Sequence, residues 1–201
     1  MTIRTRWAAL LLAAACSGAA QAAPAPYTGA GEEAPAPGPL VATQSGQLVV
    51  YFSGLAGGYD NWLGVLVNGQ QRPLGLSNQT STYGQSFSFG QVSAGDSLNF
   101  FIQIGNEPGE TEVERYYSDI SWNLDGVNHA FLSDYSGDNL LPAGQHLAFE
   151  DLDGGGDFNY ADHGFVYRIE QVSAVPEPGS ALLALAGLGV IGTRLRRRRA
   201  D

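Results

Sequence analysis

Hydrophobic positions in the middle of this chain recur in short runs, mostly at every second residue. Leu98, Phe100, Ile102 and Ile104 alternate with Asn99, Phe101 and Gln103 in the run 97–104, which follows the turn Ala94-Gly95-Asp96. That period of two is the signature of a half-buried strand. Leu48 to Phe52 is a short apolar strand, and Trp62 to Val67 leads into Asn68-Gly69. This dipeptide is a strong hairpin signal, because both of its residues tolerate positive φ. Ser86 to Val92 places Phe87, Phe89 and Val92 on related faces. Tyr116 to Trp122, Ala130 to Leu132, His146 to Phe149 and Phe165 to Val172 are further strand candidates, separated by Gly, Asn and Asp. No amphipathic helix of ten or more residues is evident. The pattern predicts an all-β fold, an antiparallel β-sandwich or jelly-roll-like single domain over 40–173. Ala23 to Pro39 is rich in Pro, Ala and Gly and reads as a flexible or polyproline-like linker.

The two ends carry a different hydrophobic pattern. Arg4 and Arg6 precede an apolar run from Trp7 to Ala15, and Ala20-Gln21-Ala22 offers a small-x-small cleavage site. Residues 1–22 therefore read as a signal peptide, and signal peptidase would start the mature chain at Ala23. Ala13-Ala14-Ala15-Cys16 is a rival reading as a lipoprotein box, with Ala13 standing where Leu is usual. At the other end come Pro176-Glu177-Pro178, an uncharged apolar run from Gly179 to Thr193, then Arg194 and the block Arg196, Arg197, Arg198 and Arg199. The run is shorter than the ~20 residues a helix needs to cross the hydrocarbon core. Snorkelling arginines and local thinning make up part of the shortfall. The basic end should stay cytoplasmic, with the bulk of the chain on the other side.

That order of features resembles the PEP-CTERM sorting signal of exported proteins in Gram-negative bacteria. Pro176, Glu177 and Pro178 match its signature, 179–193 its transmembrane part, and the arginines its basic terminus. The resemblance implies that 174–201 is a sorting segment, anchored transiently in the inner membrane. An exosortase, a membrane protease or transpeptidase, would recognise it, cut it and pass the protein to the cell surface or the extracellular medium. It also implies a link to extracellular polysaccharide and biofilm.

Charge sharpens the picture of the middle segment. The whole chain has a formal net charge of −10. Residues 23–175 hold 18 acids against Arg72, Arg115 and Arg168, a balance of −15, and the chain contains no lysine. A surface of that sign excludes nucleic-acid binding through phosphate contacts. It suits cations, or simply solubility. Cys16 is the sole cysteine, so the domain must be stabilised by its core or by bound metal rather than by disulfides.

One segment concentrates the chemistry. Glu150, Asp151, Asp153, Asp157 and Asp162 lie close together with no Lys or Arg among them, around Gly154-Gly155-Gly156. Two carboxylates ~4 Å apart repel by ~1 kcal/mol in water and by ~4 kcal/mol at an effective dielectric near 20. A hard cation offsets such repulsion, and oxygen-only ligands select Ca²⁺ over Zn²⁺. Against the EF-hand loop, Asp151, Asp153, Gly156, Asn159 and Asp162 fit positions 1, 3, 6, 9 and 12, and Asp157 falls at 7. Gly155 at position 5 offers no side chain, Asp162 replaces the bidentate Glu, and the flanks read as strands. The expectation is therefore a calcium loop between strands, with Asp151, Asp153, Asp157, Asn159 and Asp162 as ligands. The competing reading is a solvated acidic turn whose Asp side chains bond their own backbone.

The run from Phe149 to Phe165 also resembles the closing motif of an uncharacterised β domain found in exported bacterial proteins, through Phe149, Glu150, Asp151, Leu152, Gly154 to Asp157, Asn159, Tyr160, Asp162 and Phe165. Upstream, Asn123-Leu124-Asp125-Gly126-Val127-Asn128-His129-Ala130 resembles a second segment of that domain, with Leu124 replacing Pro. The resemblance implies suspected calcium binding and no activity.

Other candidates are weaker. His129, His146 and His163 lack zinc-ligand spacing. Glu150 with Asp151 or Asp125 could form a glycosidase pair, but sequence does not set their separation. No Gly-x-Ser-x-Gly elbow occurs and no mature Cys nucleophile is available. Trp62, Trp122, Tyr116 and Tyr117 could stack on sugars, though aromatics in strands more often fill cores. The acidic loop from Glu107 to Glu114 could be a second cation site or a solvated hairpin tip. The reading that emerges is an exported, non-enzymatic, calcium-stabilised surface or matrix protein. Its alternative is an extracellular carbohydrate-binding module or carbohydrate-active enzyme.

Overall fold

The computed structural model describes residues 24–54, 57–105 and 114–171. The expected signal peptide, the sorting segment and most of the acidic loop before Glu114 lie outside these residues. Among the described residues, no helix is long and apolar enough to cross a membrane.

Ten strands follow in order: β1 (Leu40–Val41), β2 (Gly46–Gly54), β3 (Asn61–Val67), β4 (Gln70–Gln71), β5 (Ser86–Val92), β6 (Ser97–Ile104), β7 (Glu114–Tyr117), β8 (Ala130–Tyr135), β9 (Gly144–Phe149) and β10 (His163–Glu170). All pairings between them are antiparallel. The first sheet runs β1-β6-β3-β4, with β7 also on β6; the second runs β5-β2-β10-β9-β8. β5 and β6 coincide with the alternating runs 86–92 and 97–104. The Asn68-Gly69 turn joins β3 to β4, with φ of 51° and 75°, as a tight two-residue hairpin requires.

The two sheets share one core. Leu63, Val65 and Val67 from β3 and Leu98, Phe100 and Ile102 from β6 bury one face of the first sheet. Leu48, Val50 and Phe52 from β2, with Leu147, Phe149 and Phe165, meet them from the second. Fully burying each such side chain stabilises the fold by ~1.5–3 kcal/mol. The pairing of β2 with β5 shifts between Leu48 and Val49, beside Gly90 at φ 90°. The extra residue lets both Phe89 and Val92 reach the core, which strict alternation from Phe89 would not allow.

Two segments differ from the sequence expectation. The expected strand over 116–122 is split: β7 ends at Tyr117, and a 3₁₀ turn spans Ile120–Trp122, with Asp119 accepting from Ser121 N at 3.0 Å. An Asp that offers its own acceptor competes with a strand ladder. The second segment is the Pro/Ala/Gly-rich stretch, which lies against the domain over 24–39. Tyr27 packs on Phe131 and edge-on to Tyr160, with ring centroids 5.0 and 5.1 Å apart. Ala34 is buried, its N–H donates to Tyr160 Oη at 2.9 Å, and its carbonyl accepts from Asn128 Nδ2. One aromatic anchor and a few backbone bonds suffice to seat a segment whose prolines already limit its unfolded entropy.

Candidate metal centre

The loop from Glu150 to Asp162 leaves β9 and returns as β10, and its winding is set by left-handed backbone. Gly154, Gly155 and Gly156 have φ of 70°, 80° and 50°, and Phe158 and Tyr160 follow at 50° and 52°. Glycine takes such angles freely, whereas a bulky residue does so against a steric cost of ~1–2 kcal/mol. Tyr160 is held there by burial, by the hydrogen bond from Ala34 and by its own donation to Asn128 O at 3.0 Å.

This winding carries Asp162 back beside the start of the loop. Glu150, Asp151 and Asp162 each place a carboxylate oxygen within 4.8 Å of the other two. Glu150 is 1 % exposed and Asp151 4 %. Few donors serve them. Asp151 Oδ2 accepts from Asn61 Nδ2 at 2.7 Å, and Asp162 Oδ2 accepts from Asp151 N at 3.1 Å. Glu150 Oε2 is covered and has no donor, and Asn61 Oδ1 is likewise covered and unpartnered.

Glycine backbone walls the group. A Cβ on Gly57 would come 2.5 Å from Asp162 Oδ1 and 2.9 Å from Asp151 Oδ2, and one on Gly156 would come 2.8 Å from Glu150 Oε1. Gly57 N donates to Asp162 O, and Asn78 Nδ2 bridges Tyr59 O to Asp162 O, which ties the 57–61 stretch to the loop.

The electrostatics follow from this geometry. Burial, then the charge and hydrogen bond of Asp162, then the charges of Asp157 and Asp151 push the Glu150 carboxyl up to about 8. Asp151 and Asp162 are also raised, first by burial. Three gathered carboxyls can be neutralised by protons or by a hard cation, and an all-oxygen donor set is of the kind a hard cation takes.

The expected ligands are thus divided. Asp151 and Asp162, the first and twelfth positions of the tested loop, converge. Asp153 is exposed in the turn Asp153–Gly155. Asp157 accepts from Asn159 N and Asn159 Nδ2 at 3.1 and 2.8 Å, the local Asp turn of the competing reading. The structure brings in Glu150 instead. Glu150 was outside the expected ligand set because the EF-hand comparison starts at Asp151; β9 ends at Phe149, so Glu150 and Asp151 are free of strand alternation and converge.

A second constellation braces the loop from below. His129 Nε2 lies 2.8 Å from Asp125 Oδ2, and His129 Nδ1 lies 3.0 Å from Glu150 O. The imidazole stacks on Tyr116 with centroids 3.7 Å apart and planes 7° from parallel. Asp125 Oδ2 also accepts from Gly154 N at 2.9 Å. Although burial opposes it, hydrogen bonds from His129, Val127 N and Gly154 N hold the Asp125 carboxyl below the usual range. The upstream segment 123–130 therefore positions both ends of the acidic loop. The other histidines sit elsewhere: His146 Nε2 lies 3.0 Å from Ser53 Oγ, and His163 packs edge-on to Phe52.

Residues 174–199 match the PEP-CTERM protein-sorting motif. The match marks the chain as an exported protein with a membrane-anchored C-terminal sorting signal, the kind processed by an exosortase. No curated protein and no solved structure matches the chain significantly.

Proposed function

We propose that this is a non-enzymatic cell-surface or extracellular-matrix protein whose β-sandwich is closed by a calcium ion held between Glu150, Asp151 and Asp162. The observation that carries the reading is the buried three-carboxylate group in which Glu150 Oε2 has no donor. Ca²⁺ takes six to eight oxygens in flexible geometry, so ~three carboxylates plus main-chain carbonyls and water can complete its shell. Mg²⁺ demands a stricter octahedron, and Zn²⁺ prefers nitrogen or sulfur.

The same geometry argues against the glycosidase pair. Glu150 and Asp151 crowd together, with a carboxylate oxygen of each within 4.8 Å, too close for the ~6.5–9.5 Å of an inverting pair. At 1 % exposure, Glu150 has no face to present to a glycan.

Export gives the site its cation. Removal of the basic tail would strip Arg194 and Arg196 to Arg199, half of the chain's arginines, and leave a lysine-free acidic domain in a medium where Ca²⁺ is available. Titration calorimetry on residues 24–171 tests the reading. One Ca²⁺ should bind, and Asp162→Asn should weaken it by roughly tenfold or more. Absence of binding, or binding by Asp162→Asn and Asp151→Asn as tight as the parent's, would rule the site out.

A further inference from the structure

A separate site lies on the other sheet. Leu66 of β3 and Asn99 of β6 are directly paired, and both alternate with core residues, so they occupy the outer face of the first sheet. There they line a cavity of about 110 Å³, rimmed by Ser97, Asp119 and Trp122.

We propose that this pocket is a carbohydrate subsite that takes one neutral pyranose unit of an extracellular glycan. Three features carry the assignment. First, Trp122 is 48 % exposed, an unusual setting for the residue with the largest apolar area. Its indole is braced rather than loose: it lies 5.4 Å from the Tyr117 ring, which lies 5.4 Å from the Phe101 ring rooted in β6. An exposed, rigid aromatic face suits the C–H face of a sugar ring.

Second, the polar groups are placed for hydroxyls. Asn99 Oδ1 accepts from Ser118 Oγ and Asp119 N, both at 3.1 Å, which fixes the amide. Its Nδ2 is covered and has no acceptor. Asp119 spends Oδ1 on Ser121 N and Ser121 Oγ, at 3.0 and 2.7 Å. Its Oδ2 has no donor among the described residues. One acceptor, Asp119 Oδ2, thus stands beside an aromatic face and the apolar wall of Leu66. A sugar hydroxyl can donate to it, and an apolar ligand would leave it unmet.

Third, charge selects the sugar. Asp119 carries the pocket's charge, and the surrounding domain is acidic and free of lysine. Uronate, sulfate and phosphate groups would be repelled, so the unit is neutral. The subsite shares no residue with the acidic loop and stands independently of the calcium reading.

The test uses the full-length protein in a zwitterionic detergent without sugar head groups, titrated with cellohexaose, laminarihexaose, xylohexaose and mannohexaose. At least one should bind at millimolar concentration or below and quench tryptophan fluorescence, with or without chelator. Trp122→Ala should weaken that binding by roughly tenfold or more, Trp122→Phe by less, and Asp119→Asn should weaken it without altering the far-ultraviolet circular dichroism. Absence of binding to all four sugars overturns the proposal. So does binding that survives Trp122→Ala. A dimer in sedimentation that Trp122→Ala abolishes, with no sugar bound, would instead make the patch a self-association surface and overturn it as well.

Discussion

Two acidic places in this domain use carboxylates in opposite ways. Asp138, in the loop between β8 and β9, is saturated with donors. Its Oδ1 accepts from Leu140 N and Leu141 N, both at 2.7 Å, and its Oδ2 from Tyr83 Oη and Tyr135 Oη at 2.7 and 2.9 Å. These bonds, led by that of Tyr83, bring its carboxyl down to about 2. Glu150, Asp151 and Asp162 are more deeply covered, share fewer donors and crowd one another, so their carboxyls move upward. A carboxylate with its full set of N–H and O–H partners organises a loop by itself. A buried group of carboxylates without them needs a proton or a cation.

Substitutions can break the contrast. The largest effect belongs to Glu150→Gln. In chelator near pH 8 it removes the charge that its neighbours resist, so the variant should melt above the parent, by on the order of 3 kcal/mol in stability. With Ca²⁺ present it should lose the gain that the parent shows. A variant that melts below the parent in chelator would place the side chain in an ordinary stabilising role.

Asp138→Ala should lower the melting midpoint by the same amount in Ca²⁺ and in chelator, because its partners are all protein donors. With the folded carboxyl below its ordinary value, its contribution is complete above about pH 4 and is lost as the pH falls towards about 2. A Ca²⁺-dependent penalty would mean the two regions are coupled. The smallest effect belongs to Asp153→Asn, which should stay within ~0.5 kcal/mol and leave Ca²⁺ affinity unchanged, since Asp153 is exposed outside the group.

Much of the fold was legible in the sequence because its strands are short apolar runs bounded by turn residues. The alternation of Leu98, Phe100, Ile102 and Ile104 marks β6, and Asn68-Gly69 marks the β3–β4 hairpin through backbone angles that few other pairs accept. The glycine run and the acids around it mark the loop, and the spacing of Asp151 and Asp162 anticipates that its ends meet. Glu150 was hidden because the loop comparison starts at Asp151, one residue after it, and only the fold shows that the residue just past β9 turns into the group. The bracing by Asp125 and His129 was also hidden, since contacts between 125–129 and 150–154 depend on how β8 and β9 pair. The seating of 24–39 rests on Tyr27 and Ala34, and composition averages over single anchors of that kind. Trp122 read as part of a strand until Asp119 was seen to cap a turn there.

The central claim is that the Glu150–Asp151–Asp162 group is completed by Ca²⁺, and the melting midpoint of residues 24–171 as a function of pH tests it most directly. Without a cation, the folded Glu150 carboxyl titrates at about 8 against 4.5 when unfolded. Folding then binds the extra proton, so this contribution is full below about pH 4.5 and is lost as the pH rises towards about 8. The midpoint in chelator should therefore fall across that window, whereas millimolar Ca²⁺ should hold it up, by roughly 5–10 °C near pH 8. Coincident curves with and without Ca²⁺ across the window would contradict the account.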